Sequence, residues 1–139
     1  MIGAIAGDVI GSVHEGGPAR SRDFPLFQPG SRFTDDTVLS TAVASAVMYG
    51  GSYAASLREW GRRYPDAGYG RWFSAWLGRD NAPPYKSFGN GSAMRVAAIG
   101  WAFDDIDDVL REAAMSAEVT HNHPEGMKGA KAVALPCCR

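Results

Sequence analysis

Thr34-Asp35-Asp36-Thr37 is the segment of this sequence with the most evident capacity for chemistry. It stands between a Pro/Gly loop and an apolar helical pattern. Two successive carboxylates at a helix start point about 100° apart, so they can hold two sides of one metal ion or one ion each of a pair. The threonine hydroxyl adds a third hard oxygen, and an oxygen-only donor set favours Mg²⁺, Mn²⁺ or Ca²⁺ over Zn²⁺. The plainer reading of the same residues is helix capping, with Thr34 as the N-cap and the acids in the first turn. Upstream, Gly7-Asp8 is followed by Gly11 and Glu15. Glu15 lies just beyond a helix faced by Gly3, Gly7 and Gly11, where its carboxylate can enter the same site or remain at the surface.

Ser87-Phe88-Gly89-Asn90-Gly91-Ser92 precedes Ala93-Met94-Arg95 and an apolar run. Free N–H groups ahead of a helix form an anion site, and a diphosphate fits against Gly89 to Ser92; a simple turn with a helix cap is the competing reading. No Gly-Lys-Ser/Thr follows and no strand precedes, which excludes a Walker loop and a dinucleotide fingerprint. Thr120-His121-Asn122-His123-Pro124 flanks another helix start. Its histidines cap or contact a ligand. A zinc site with Cys137 and Cys138 is a remote alternative, because the spacing lacks paired ligand blocks. The acidic run Asp104-Asp105, Asp107-Asp108 lacks the alternating ligands and glycine of a calcium loop.

The elements that position these groups read as helices throughout, giving an all-α fold in a single domain over 1–139. The spacing predicts a helix over 2–13 whose three glycines, each costing about 1 kcal/mol relative to alanine, imply close approach of another backbone or a ligand. Gly16-Gly17-Pro18, Pro25 and Pro29-Gly30 predict an ordered loop over 16–33. A helix runs from Asp35 to Tyr49, closed by Gly50-Gly51. Ser52 caps a further helix stopped by Pro65, and 70–78 forms a short aromatic one. Gly91 to Phe103 reads as one helix, Asp105 caps Ile106–Glu118, and Pro124 opens the last.

Composition narrows the class. The 139 residues are 45% hydrophobic and 21% charged, which supports a packed core. A net charge of −1 argues against a nucleic-acid surface. No apolar stretch is long enough to span a membrane, and the N-terminus is a poor signal peptide. The two adjacent cysteines give no disulfide framework, and a cytoplasmic setting is expected.

Taken in order, Gly-Asp-x-x-Gly-x-x-x-Glu at 7–15, Thr-Asp-Asp-Thr at 34–37, Gly-Asn-Gly-Ser-Ala-Met-Arg at 89–95 and Thr-His-Asn-His-Pro at 120–124 resemble the ADP-ribosylglycohydrolase family. The resemblance runs from Met1 to about Leu135. It implies an all-α fold, a pair of Mg²⁺ or Mn²⁺ ions, and ADP-ribose or an ADP-ribosylated protein as ligand. By carry-over, Thr34, Asp35 and Asp36 are metal ligands, and Glu15 and Asp35 take part in catalysis, Glu15 as acid/base or gate. Ser87, Phe88, Gly89, Asn90, Gly91, Ser92 and His121 contact the substrate, and Asp8 is structural. The implied reaction is hydrolysis at the anomeric carbon of the distal ribose, attached to arginine, serine or another acceptor. The family's remaining metal ligands lie in an Asp-x-Asp-Thr segment near the end of a longer chain, whereas this sequence ends at Arg139. A partial domain is therefore expected, with an exposed apolar face prone to self-association. Two function classes follow: a metal-dependent hydrolase, and an impaired or non-catalytic ADP-ribose-binding module.

Overall fold

The computed structural model describes residues 1–17, 21 and 23–138. Pro18, expected to shape the 16–33 loop, lies outside the described residues. Seven helices occur among the described residues, with no strand: α1 (Ile2–Gly11), α2 (Asp35–Tyr49), α3 (Tyr53–Arg63), α4 (Arg71–Leu77), α5 (Ala97–Ala102), α6 (Ile106–Glu118) and α7 (Pro124–Ala134). Short 3₁₀ turns follow α1 at Ser12–His14, precede α5 at Asn90–Ser92 and follow α7 at Leu135–Cys137. The fold is all-α, as the periodicity predicts.

Local chemistry sets most helix limits. Thr34 Oγ1 accepts from the Asp36 N–H at the start of α2, and Gly50 ends that helix in the left-handed conformation at φ 67°. Asp105 accepts from the N–H groups of Asp107 and Asp108 at the start of α6. His123 Nδ1 accepts from Glu125 N–H, and Pro124 takes the first position of α7, where its missing N–H costs nothing.

Helix α2 is the central element and packs against α1, α3 and α5, while α6 lies along α7. Val38, Leu39, Ala42 and Val43 of α2 meet Leu57 of α3, Phe73 and Trp76 of α4, and Val109, Ala113 and Ala117 of α6 in one core. Buried alanines dominate the facing sides of α6 and α7 (Ala113, Ala117, Ala130, Ala134), and these small side chains let the two backbones draw together.

Two sequence expectations fail. The single helix over 91–103 is instead a 3₁₀ turn at Asn90–Ser92, a further turn, and α5 from Ala97. The cause is tertiary. The Met94 carbonyl accepts from Ser40 Oγ of α2, and Arg95 turns inward toward Ser116 and Thr120. The chain from 92 to 96 therefore follows outside partners rather than its own ladder. The helix over 2–13 likewise stops at Gly11. There Ser12 Oγ donates to the Val9 carbonyl and accepts the Arg32 N–H, so the chain tightens into the 3₁₀ turn. The glycine face of α1 has no backbone against it: nothing among the described residues comes within 4 Å of a Cβ built on Gly3, Gly7 or Gly11.

Candidate functional site

The start of α2 is held from two directions. Thr34 caps it from within, and Asp8 of α1 reaches it from outside. The Asp8 carboxylate accepts from Thr34 N–H at 2.8 Å, Thr34 Oγ1 at 2.5 Å, Thr37 N–H at 3.1 Å and the Thr37 hydroxyl. An anion at this helix N-terminus is favoured by the exposed N–H groups and the helix dipole. Asp8 is thus structural, as the sequence suggests, and it is more besides. One carboxylate oxygen each from Asp8, Glu15 and Asp36 lie within 4.8 Å of one another.

The ion pairs among the described residues all lie elsewhere: Arg62–Asp80, Arg111 with Asp108 and Glu112, and Lys128–Glu125. The three acids face one another with no basic partner among the described residues. Burial, then the neighbouring charges of Asp8 and Glu15, push Asp36 above its ordinary range. A divalent cation would relieve this repulsion, and the all-oxygen donor set suits a hard ion. The residues present therefore fit the group that the sequence motifs imply. Thr34 is buried at the edge of this cluster, its hydroxyl donating to Asp8 and accepting from Asp36.

Asp35, one residue on, faces a different recess. It shares that recess with Tyr85, Gly89, Gly91, Arg95 and His121, whereas Asp8, Glu15 and Asp36 line a shallow cleft beside Gly7 and Gly11. Met94 borders both, so the two recesses adjoin. Burial, then Asp36, and more weakly Glu15 and Asp8, raise the Asp35 pKa to about 6. The structure brings Asp36 and Glu15 together and sets Asp35 on the neighbouring wall.

The loop opposite Asp35 is clamped to the segment ahead of α7. Lys86 adopts a left-handed φ of 53° and donates its N–H to Asn122 Oδ1 at 2.8 Å. Ser87 N–H donates to the Thr120 carbonyl, and Ser92 Oγ donates to the Gly126 carbonyl. Gly126 permits this closeness, since a Cβ there would stand 2.6 Å from the Ser87 carbonyl oxygen. A Cβ on Gly91 would stand 3.1 Å from His121 Cε1 and 3.2 Å from Nε2, so the loop backbone lies directly on the imidazole. The expected anion site at the head of a long helix is therefore a short 3₁₀ turn laid against a histidine ring. Ser87, Phe88 and Gly89 also border an adjoining recess with Trp72 and Tyr85. Phe88 is 73% exposed and Trp72 64%, leaving ring surface open beside the loop.

His121 is buried, and its pKa falls to about 4, chiefly through burial and then through the guanidinium of Arg95. Its Nδ1 lies 2.8 Å from Thr120 Oγ1. Arg95 is wholly buried. Its Nη2 donates to the Ser116 carbonyl at 2.9 Å and to Thr120 Oγ1 at 3.0 Å, while Nε and Nη1 have no protein partner.

Sequence reasoning passed over Asp8 as a cluster member, and over Arg95, Thr120 and Tyr85 as walls or supports of the recess. The signals were an aspartate interrupting an apolar helix, an arginine ending a glycine-rich motif before an apolar run, and a hydroxyl beside the histidine. The remote zinc alternative fails. His123 caps α7, Cys138 Sγ approaches the carbonyls of Phe103 and Asp104, and among the described residues the acidic trio alone has the spacing of a metal cluster.

The sequence matches the ADP-ribosylglycohydrolase family over residues 1–136, so the chain belongs to that family. Among curated relatives, it is 29% identical to ADP-ribosylhydrolase ARH3 of Xenopus tropicalis over 97% of this chain and 47% of the relative. The ARH3 proteins of Bos taurus and Homo sapiens match at 30% and 29% identity, each again over 97% of this chain and 47% of the relative. The chain thus spans about half the length of the curated relatives it matches. No helix among the described residues is long and apolar enough to cross a membrane.

Proposed function

We propose that this chain binds ADP-ribose conjugates beside a divalent cation and contributes to hydrolysis of the bond at the distal ribose. The observation carrying this reading is the acidic trio of Asp8, Glu15 and Asp36, uncompensated by any described basic group, beside a recess lined by a glycine loop. Thr34, Asp35 and Asp36 are the ligands that the sequence resemblance implies; Asp8 joins Asp36 at the cluster, and Asp35 faces the adjoining recess. A Mg²⁺ or Mn²⁺ ion bound there would supply orientation of ribose hydroxyls and Lewis-acid polarisation.

The chain's own groups divide the remaining work. Glu15 is exposed at the rim of the trio, where its carboxylate can take a proton from water attacking the anomeric carbon. The Asp35 carboxylate faces the adjoining recess, where it can share charge with a developing oxocarbenium ion. The loop from Gly89 to Ser92 receives the diphosphate through the backbone N–H groups of Asn90, Gly91 and Ser92, the Gly89 N–H being held by Ser87 Oγ, and His121 lies beneath it. The exposed rings of Phe88 and Trp72 offer stacking surface to a base.

A second reading, a non-catalytic ADP-ribose-binding module, is favoured by the donor count. Asp8, Glu15 and Asp36 suffice to anchor one ion with water completing its shell, whereas a catalytic pair of ions needs both fixed about 3.5–4 Å apart. One experiment tests both. The purified chain is titrated with ADP-ribose in Mn²⁺ by calorimetry, then incubated with ADP-ribosylated arginine and serine peptides while released ADP-ribose is measured. Binding without release selects the module. Turnover abolished by Asp35→Ala selects the hydrolase, and absence of ADP-ribose binding overturns both.

A further inference from the structure

Arg95 holds a full charge inside the fold without a carboxylate among its hydrogen-bond partners. Burying an unpaired guanidinium is costly, so its few contacts carry information. One of them is Thr120 Oγ1, which in turn touches His121 Nδ1. We propose that Arg95 and Thr120 are positioning residues that lock His121 in the tautomer protonated on Nε2, so that the ring presents an N–H donor to an oxygen of the ligand held against Gly91.

The argument is one of donors and acceptors. A guanidinium has five N–H donors and no acceptor, so in the Arg95–Thr120 contact the threonine oxygen must accept. The hydroxyl then has one hydrogen to give. Polarisation by the adjacent cation makes that hydrogen a better donor and the oxygen a poorer acceptor for any further bond. His121 Nδ1 stands 2.8 Å from Thr120 Oγ1 and can take it, with the Tyr85 hydroxyl as the competing neighbour. An imidazole nitrogen is a far stronger base than a neutral phenol oxygen, and it is the one within hydrogen-bond distance. Nδ1 therefore accepts, and the proton of the neutral ring resides on Nε2.

The charge state agrees with this geometry. Burial and the neighbouring guanidinium hold the ring neutral near pH 7, and a neutral ring has one N–H to place. Nε2 belongs to the edge that a Cβ on Gly91 would meet at 3.1–3.2 Å, the edge under the loop rather than the one facing Thr120. A neutral donor there suits an oxygen ligand such as a phosphate or ribose hydroxyl, and Arg95 supplies positive potential from behind without contacting it. In its ligand this inference rests on the ADP-ribose reading above; in its tautomer it does not.

The test is a long-range ¹H–¹⁵N correlation spectrum of the full chain labelled with ¹⁵N-histidine, at pH 7. His121 is expected to show an unprotonated, pyridine-type Nδ1 and a protonated, pyrrole-type Nε2. The reverse assignment, or two averaged nitrogens, overturns the proposal in the unmodified protein. In Thr120→Val the two nitrogens should move toward averaged values, and Thr120→Ser should restore the split. A Val variant that keeps its helical circular dichroism and a fixed pyridine-type Nδ1 overturns the relay. If Val at this buried position prevents folding, the unmodified spectrum decides alone. ADP-ribose affinity should fall roughly tenfold in Thr120→Val and recover in Thr120→Ser. Failure of the unmodified chain to bind ADP-ribose overturns the ligand reading, while the spectrum still decides the tautomer.

Discussion

The two recesses at the start of α2 differ in charge: the first gathers acids alone, and the second sets the Asp35 carboxylate in one recess with a buried guanidinium. On one side Asp8, Glu15 and Asp36 crowd three carboxylates within 4.8 Å, with the described ion pairs all elsewhere. On the other, Arg95 is buried with two nitrogens unbonded, next to a histidine too desolvated to carry charge near neutral pH. Neither arrangement is what folding alone favours, because each leaves like charge or a lone charge unsatisfied. The first side has room for a cation and the second has potential for an anion. A ligand combining a metal-bound sugar with a diphosphate would satisfy both at once.

Selective damage sharpens this contrast. Removing a carboxylate should cost the cation side most: Asp36→Ala is expected to weaken Mn²⁺ binding by on the order of 100-fold by calorimetric titration while changing metal-free ADP-ribose affinity little. An unchanged Mn²⁺ isotherm would end the ligand assignment. Crowding the other side should invert the pattern. Gly91→Val forces its side chain onto His121 and should reduce ADP-ribose affinity by about 30-fold, with Mn²⁺ binding intact. Wild-type affinity in the folded variant would remove the loop from the site.

Support for the loop comes next in size. Gly126→Ala drives a methyl to 2.6 Å from the Ser87 carbonyl and should destabilise the chain by about 1–3 kcal/mol, read as a lower thermal midpoint. A midpoint equal to that of the unmodified protein would mean that the 85–92 segment shifts freely.

The smallest effect is in pH, where the two sides oppose. The folded state holds Asp35 near pKa 6 against an ordinary 3.8, so it binds the extra proton, and acidification from pH 7 to 4.5 stabilises it. The folded state holds His121 near pKa 4 against 6.5, so here the unfolded state binds the extra proton. That contribution is complete above pH 6.5 and lost as pH falls toward 4. The metal-free chain should thus show partial cancellation in thermal melts across this window. Asp35→Asn should expose a steeper loss on acidification, and His121→Gln a gain. Identical slopes in the two variants would show that the shifts have been misassigned.

What could be read in advance follows the range of the forces involved. Thr34, Gly50, Asp105 and Pro124 act within a few residues, so α2 and α6 were legible to their limits and α7 at its start. The break between Ser92 and Ala97 was not, because Ser40 and Thr120 cause it from 54 and 25 residues away. At the site, the pairing of acids with a glycine loop was visible as an ordered motif set. The partition was not: residue types alone do not say that Asp8 of α1 joins Asp36, nor that Arg95 supports His121 through a hydroxyl.

Asp35 and Asp36 are joined by a single peptide unit, with α-carbons about 3.8 Å apart. Covalent bonding therefore sets the spacing between the two recesses, and thermal motion, swelling of the core or drift of α2 carries both walls together. Such a site has a fixed gauge at its centre and jaws built on other elements around it. Glu15, beyond a 3₁₀ turn on one side, and the 87–92 loop, tied to the segment ahead of α7 on the other, stand on elements separate from that gauge. Changes in what the site accepts should accumulate in the jaws, whereas a one-residue slip in the register of α2 would set one aspartate on the other's wall and a threonine on its own.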